Sequence, residues 1–227
     1  MGETKNMSEA EHDRVTAAVR LAEANTSGEI VTIIADTSDH YLDTALWWAV
    51  GAGLLKLALL AAFPDVATKI IDSIIGGWDT DIGAVEYFEL ALASFVVTFG
   101  IVRLILQIPR VRTTLTFPRV KSKRVRNRAI DLFKVGAESR TVGRTGILIY
   151  LSFAEHRAEI VADEAIHKQV ANEVWGDAMI DLIGHVREGR ITDGMVAAVN
   201  DVGVILAQYL PRAEDDVNEL PDRLIEL

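Results

Sequence analysis

Hydrophobic and polar positions divide the chain into two long apolar segments set inside a succession of shorter helix and strand patterns. The apolar segments cover residues 45–63 and 90–108, and a linker, 64–85, separates them. Each is about 19 residues long, so a helix of about 28 Å would cross the hydrocarbon core of a bilayer. The pattern therefore predicts a transmembrane helical hairpin over residues 44–108. Isoleucines at one-turn spacing in the linker predict a short helix in the plane of the interface.

The sequence outside the hairpin predicts one α/β domain. Ser8 and Glu11 form a capping-box pattern, which predicts a helix from Glu9 to about Asn25. Runs rich in β-branched residues predict strands over 29–36, 146–153 and 157–163. The short link between the last two strands predicts an antiparallel pair.

Helical periodicity returns after the hairpin and again after the strands. We expect helices over 126–138, 166–188 and 192–210, the last capped by Thr192 or Asp193, and a mobile acidic tail over 211–227. Interleaved strands and helices give an α/β fold class, a small mixed sheet sandwiched by helices. The domain is formed by residues 8–43 and 126–210 and is interrupted by the two-helix transmembrane hairpin.

The distribution of charge predicts the orientation of the hairpin. The chain has a formal net charge of −10 and a pI of about 5.0, which argues against nucleic acid as a partner. The juxtamembrane segment 109–125, in contrast, is basic, whereas the linker offers Lys69 against four aspartates. The positive-inside rule therefore predicts a multi-pass protein of the inner membrane with both termini in the cytoplasm. The basic residues expected to contact lipid head groups are Arg110, Arg112, Arg119, Lys121, Lys123 and Arg124.

Two charged residues lie within or beside the apolar segments. Lys56 belongs to the first segment, and Glu89 directly precedes the second. An antiparallel hairpin places them at similar depth, so we expect an ion pair between them within the membrane. The alternative is that each side chain extends separately to the interface.

Several short motifs together carry a family resemblance. Ser27-Gly28-Glu29-Ile30-Val31, Gly143-Arg144-Thr145-Gly146-Ile147, Arg157-Ala158-Glu159-Ile160-Val161 and Asp193-Gly194-Met195 occur in this order. Their order and spacing resemble the TPM domain family, in the bacterial subgroup with a membrane hairpin after the first strand. The resemblance implies an α/β/α sandwich, a divalent-metal site and, in some members, phosphatase activity; other members look like accessory proteins of membrane complexes.

The ends of two predicted strands supply the candidate chemistry. Asp36 ends the first strand and Asp163 ends the third. Ligands of open α/β sheets gather outside such strand ends, and carboxylates there could hold Ca²⁺, Mg²⁺ or Mn²⁺. Glu164, Asp39 or Asp193 could add a ligand. The alternative is that both aspartates cap turns or the following helix.

Two functions are compatible with these features. The first is a non-catalytic accessory module that binds another membrane protein, or a second copy of this chain, at the bilayer. The alternative is a divalent-metal-dependent phosphatase acting at the membrane surface, with the metal polarising a phosphoryl group. The absence of cysteine excludes thiol catalysis and thiolate metal sites.

Overall fold

The computed structural model describes residues 7–65, 69, 83–136, 145–214 and 218–227. The chain divides into two compact units, one formed by Met1–Asp39 with Pro118–Leu227 and the other by His40–Phe117. The expected interfacial helix of the linker, and the motif residues Gly143 and Arg144, lie outside the described residues.

The first unit contains a four-stranded sheet between helices. Its order is β3-β2-β1-β4; β1 pairs in parallel with β2 and β4, and β2 pairs antiparallel with β3. The elements of this unit, in chain order, are α1 (Glu9–Glu23), β1 (Glu29–Ala35), α5 (Pro118–Gly136), β2 (Gly146–Ser152), β3 (Arg157–Ala162), α6 (Glu164–His167), a 3₁₀ turn (Asn172–Trp175), α7 (Gly176–Arg187), α8 (Ile191–Tyr209) and β4 (Ile225–Glu226).

Two apolar clusters hold the layers together because β1 and β2 are buried along their whole length. One face of the sheet packs on α1, α7 and α8 through residues such as Val19, Ile149 and Leu182. The other face packs on α5 through Val125, Ala129 and Phe133. The expected fold class, a mixed sheet flanked by helices, is confirmed.

The second unit contains the two apolar helices. These are α2 (Leu42–Ala62), α3 (Ala84–Ile105) and the short α4 (Pro109–Leu115). Both α2 and α3 are long and apolar enough to cross a membrane. They pack on one another, and the Tyr87 hydroxyl donates a hydrogen bond to the Leu60 carbonyl at 2.7 Å.

The predicted capping box at the start of α1 is confirmed. The Glu11 amide donates to Ser8 Oγ, and the Ser8 amide donates back to the Glu11 carboxylate at 2.8 Å. The expected cap of α8 is wrong, since neither predicted side chain binds the helix terminus. The Thr192 hydroxyl donates instead to Glu11, and Asp193 pairs with Arg14.

Two further expectations are corrected. The predicted helix over 166–188 is divided into α6, the 3₁₀ turn and α7. The buried residues Ile166, Val170, Ala178 and Leu182 are spaced by four or eight residues, with the partly buried Val174 between the second and third, so periodicity does not reveal the break. The tail, 211–227, was expected to be mobile, but its described residues, 211–214 and 218–227, belong to the first unit, and the second stretch packs on the sheet and includes β4.

Candidate functional site

The carboxyl ends of β1 and β2 form the most elaborate polar region of the described first unit. Because these strands are parallel, both ends meet at one edge of the sheet. The turn that follows β2 folds back beside β1, with the Phe153 amide donating to the Ala35 carbonyl and the Ala154 amide to the Asp36 carbonyl. The loop after β1 and the turn after β2 therefore lie side by side.

Glu155 lies at the centre of this edge and is buried. Its carboxylate accepts a hydrogen bond from the Ser38 amide at 3.2 Å and a short one from the Ser152 hydroxyl. Hydrogen bonds from donors to a charged acceptor are about twice as strong as neutral ones. This carboxylate therefore fastens the loop after β1 to the end of β2.

Tyr150 adds a second link to the same loop. Its hydroxyl lies 2.9 Å from Ser38 Oγ. Burial raises the pKa of the Tyr150 phenol above its ordinary value, and the negative charge of Glu155 acts in the same direction. The phenol is therefore protonated at neutral pH and supplies a hydrogen-bond donor at this edge.

Asp39 and Arg124 form the third link. Arg124 of α5 contacts the Asp39 carboxylate at 2.5 Å, and both side chains are partly exposed. Asp39 is the last residue of the first unit before the second unit begins, and α5 is the helix with which the first unit resumes. The two chain segments that flank the hairpin are thus joined to one another within the α/β unit.

A half-buried carboxylate on β3 lies near α5. Glu159 of β3 is 3.6 Å from the exposed Arg126 of α5. Burial raises the pKa of the Glu159 carboxyl, and the charges of Arg126 and Arg157 oppose that effect. Desolvation is the larger influence on this pKa, and solvent screens the charge of the exposed Arg126.

The structure does not bring the predicted metal ligands Asp36 and Asp163 together. Asp36 is exposed at the carboxyl end of β1, level with the end of β2. Asp163 follows the antiparallel β3 and accepts a hydrogen bond from the Gly146 amide, at the start of β2, at 3.1 Å. The length of β2, about 20 Å, separates the two carboxylates. The shared site is corrected for this reason.

The additional ligands proposed from the sequence are each engaged by a cation. Asp39 pairs with Arg124, Glu164 with Lys168 at 2.9 Å, and Asp193 with Arg14 at 2.7 Å. Arg14 holds the pKa of the Asp193 carboxyl below its ordinary value. Within the described residues, no group of three acidic or histidine side chains is arranged to hold a metal ion. The carboxylates predicted from the sequence therefore do not form one divalent-metal site, and binding of such an ion elsewhere stays a prediction.

The expected ion pair between Lys56 and Glu89 is also absent from the described part of the hairpin. Tyr87 faces α2, because its hydroxyl bonds to Leu60. Glu89, two residues further on, lies about 200° around the helix and so faces away from α2. Both charged side chains are exposed, which fits the alternative that they extend separately.

The six basic residues predicted to contact lipid differ in their surroundings. Arg110, Arg119 and Lys123 are exposed, and Lys121 is half-buried. Arg124 forms an ion pair with Asp39, and Arg112 is buried. Lipid contact by the exposed residues stays a prediction.

Sequence reasoning missed Glu155, and the pattern around it explains why. Residues 154–156 join two strands, where a glutamate is ordinarily exposed. Its burial depends on the loop after β1, which is distant in sequence. A signal was available for Leu220 and Leu224, two large apolar residues that lie among charged residues and are both buried, one in each apolar cluster.

Comparison with known proteins gives the fold and nothing further. No family model and no curated protein matches the chain. The structure is similar to the NMR structure of the BA42 protein from the psychrophilic bacterium Bizionia argentinensis, a protein of TPM-like fold. The TM-score is 0.57 at 18% sequence identity, and the match covers 100% of each chain. This likeness shows that the chain has a fold similar to that of BA42.

Proposed function

We propose that this chain is an integral inner-membrane protein whose α/β unit faces the cytoplasm, and that it is a non-catalytic accessory module that binds another membrane protein. The family to which we assign it is the TPM domain family, on the motifs and the fold. The proposal rests chiefly on the apolar surface of α2 and α3.

The outward faces of the apolar helices have the character of a lipid-facing surface. Large apolar side chains are exposed along both, including Leu54, Leu55 and Leu59 on α2 and Leu92 and Val96 on α3. Burying apolar surface gains about 25 cal/mol per Å², so exposure of such faces to water is unfavourable. A bilayer covers them along helices of 21 and 22 residues.

The orientation follows from the charge distribution. Residues 110–128 contain eight arginines and lysines without an acidic residue, whereas the linker contains Asp65, Asp72, Asp79 and Asp81 with Lys69. Basic segments stay on the cytoplasmic side of the membrane.

An accessory role is supported by the links at the sheet edge. Glu155 and Tyr150 fasten the loop that leads to α2, and Asp39 binds Arg124 of α5, the helix with which the α/β unit resumes. The hairpin is therefore connected to two chain segments that are both fixed within the α/β unit, and a protein that binds the hairpin would bind next to them in the chain. The phosphatase alternative has less support, because Asp36 and Asp163 lie at opposite ends of β2.

Site-specific photo-cross-linking in native membranes tests this proposal. A photoreactive residue at Val96, exposed on α3, should give one defined adduct with a membrane protein or with a second copy of the chain. The matched control is Ala49, which is fully buried within the second unit and should give none. If the captured protein is then tagged and purified from the membrane, we expect this chain to be recovered with it. Lipid adducts alone at Val96, Leu92 and Ile101 would contradict partner binding.

A further inference from the structure

Arg112 differs from the other arginines of the basic juxtamembrane segment. It lies in α4, directly after the second apolar helix, and is only 9% exposed. Arg110, two residues earlier in the same helix, is exposed. A guanidinium stays charged in proteins, so a buried one requires compensation for the water that it has lost.

The described residues supply little of that compensation. Arg112 Nη1 donates to the Leu106 carbonyl at 3.4 Å, and Nε is buried with no hydrogen-bond partner. Within the described ranges, no carboxylate lies within ion-pair distance of this guanidinium. Nη2 has no hydrogen-bond partner among the described residues and is not one of the fully buried atoms, so an anion from outside the chain can reach it.

The surroundings of Arg112 have the chemistry of a membrane interface. The Trp48 indole donates to the Leu115 carbonyl at 3.2 Å, which ties α2 to the end of α4. The Trp48 and Phe117 rings stack with their centroids 6.2 Å apart, and Trp47 is largely exposed. Tryptophan is enriched at the head-group level of bilayers. The same structural unit thus combines interfacial tryptophans with a buried cation that has a single hydrogen bond among the described residues.

We propose that Arg112 binds the phosphate of an anionic phospholipid in the cytoplasmic leaflet. This inference rests on the proposed membrane insertion. A planar guanidinium offers two parallel hydrogen bonds to a phosphate, here from its Nη1–Nη2 end because Nε is buried, and lysine does not reproduce this geometry. The exposed arginines of the segment attract anionic lipid diffusely, whereas Arg112 holds one lipid at a fixed place.

Lipid titration of the full chain in nanodiscs tests the site. Thermal unfolding and native mass spectrometry are measured in phosphatidylcholine discs with increasing phosphatidylglycerol. We expect the wild type to retain one phosphatidylglycerol and to unfold at a higher temperature. Arg112→Gln should weaken retention by about tenfold or more, the equivalent of one charged hydrogen bond. Arg110→Gln is the matched control and should retain the lipid as the wild type does.

Two further measurements distinguish a specific phospholipid site from a general effect of charge and from binding of a soluble anion. Arg112→Lys keeps the charge and so protects folding, but it should lose most of the retention because it lacks the planar fork. Equal losses in Arg110→Gln and Arg112→Gln, or full retention in Arg112→Lys, would overturn the site. Inorganic phosphate that produces the same thermal shift in phosphatidylcholine discs would assign Arg112 to a soluble anion and overturn the lipid.

Resistance to alkaline carbonate extraction is measured in parallel. A wild-type chain that is extracted from membranes contradicts the proposed function itself. A chain that resists extraction but shows no preference for phosphatidylglycerol contradicts the Arg112 site alone.

Discussion

At the scale of single residues, Glu155 determines the conformation of the loop that leads to the apolar helices. Its carboxylate is buried and accepts hydrogen bonds from the Ser38 amide and the Ser152 hydroxyl. A buried charge is tolerated when such donors surround it. Removal of the charge leaves those donors in place without an adequate acceptor.

Glu155→Gln tests this role. The amide keeps one oxygen but places an NH₂ group against donors, so the loop should lose about 1–3 kcal/mol of local stability. Hydrogen exchange of the full chain in detergent, followed by mass spectrometry of peptides covering 30–40, measures the change. Glu173→Gln, at an exposed position, is the control. Unchanged exchange in both variants would show that Glu155 does not hold the loop.

The prediction of a shared metal site shows that strand boundaries alone do not establish whether two candidate ligands lie close together. Both aspartates follow strands, as predicted. Because β3 runs antiparallel to β2, Asp163 lies at the amino end of β2, whereas Asp36 lies level with its carboxyl end. The antiparallel pairing was predicted from the short link between the two strands. The position of Asp163 follows from that pairing and could have been predicted as well. Glu155 was not predictable, because its burial depends on a loop more than a hundred residues earlier.

At the scale of elements, the C-terminal segment closes one edge of the sheet. The Leu227 amide donates to the Ile34 carbonyl at 2.9 Å, and the Asp36 amide donates to the Leu227 carbonyl at 3.0 Å. Further along the same strand, the Ile30 amide donates to the Glu23 carboxylate at 2.7 Å. The outer edge of β1 is therefore occupied along much of its length, which protects it from pairing with another chain.

Leu224→Ala should weaken this closure. Leu224 is 4% exposed and packs in the cluster beneath α1 and α8, so its truncation should cost about 2–3 kcal/mol of unfolding free energy. Faster hydrogen exchange of β1 amides in the full chain measures the loss. Leu227→Ala, at a position that is 52% exposed, should change exchange little. A Leu224→Ala variant that exchanges like the wild type would show that the segment does not stabilise β1.

Helices and strands were predictable where the pattern of apolar residues in the sequence matches the pattern of burial. The strands at 29–35, 146–152 and 157–162 agree with prediction to one residue, because β1 and β2 are buried along their whole length and mostly apolar. The break between α6 and α7 was not predictable, since apolar spacing continues through it. The ordered segment 218–227 was missed because its charged residues outweighed Leu220 and Leu224.

At the scale of the whole molecule, the two units differ in how they use apolar residues. The α/β unit buries them in two clusters on either face of its sheet. The helices α2 and α3 instead expose them, and none of the residues of α3 is buried. A water-soluble protein rarely presents a surface of this kind, and such a surface marks a membrane or protein contact. The hairpin is therefore the feature on which the functional account depends.

Cysteine accessibility tests that central claim most directly, because the chain contains no cysteine of its own. Lys69→Cys places a thiol in the linker, and Asp13→Cys places one on the exposed face of α1. In intact spheroplasts, a membrane-impermeant maleimide should label Lys69→Cys at once and Asp13→Cys only after the membrane is permeabilised. Immediate labelling of both positions, protection of both, or recovery of the chain in the soluble fraction would contradict the account.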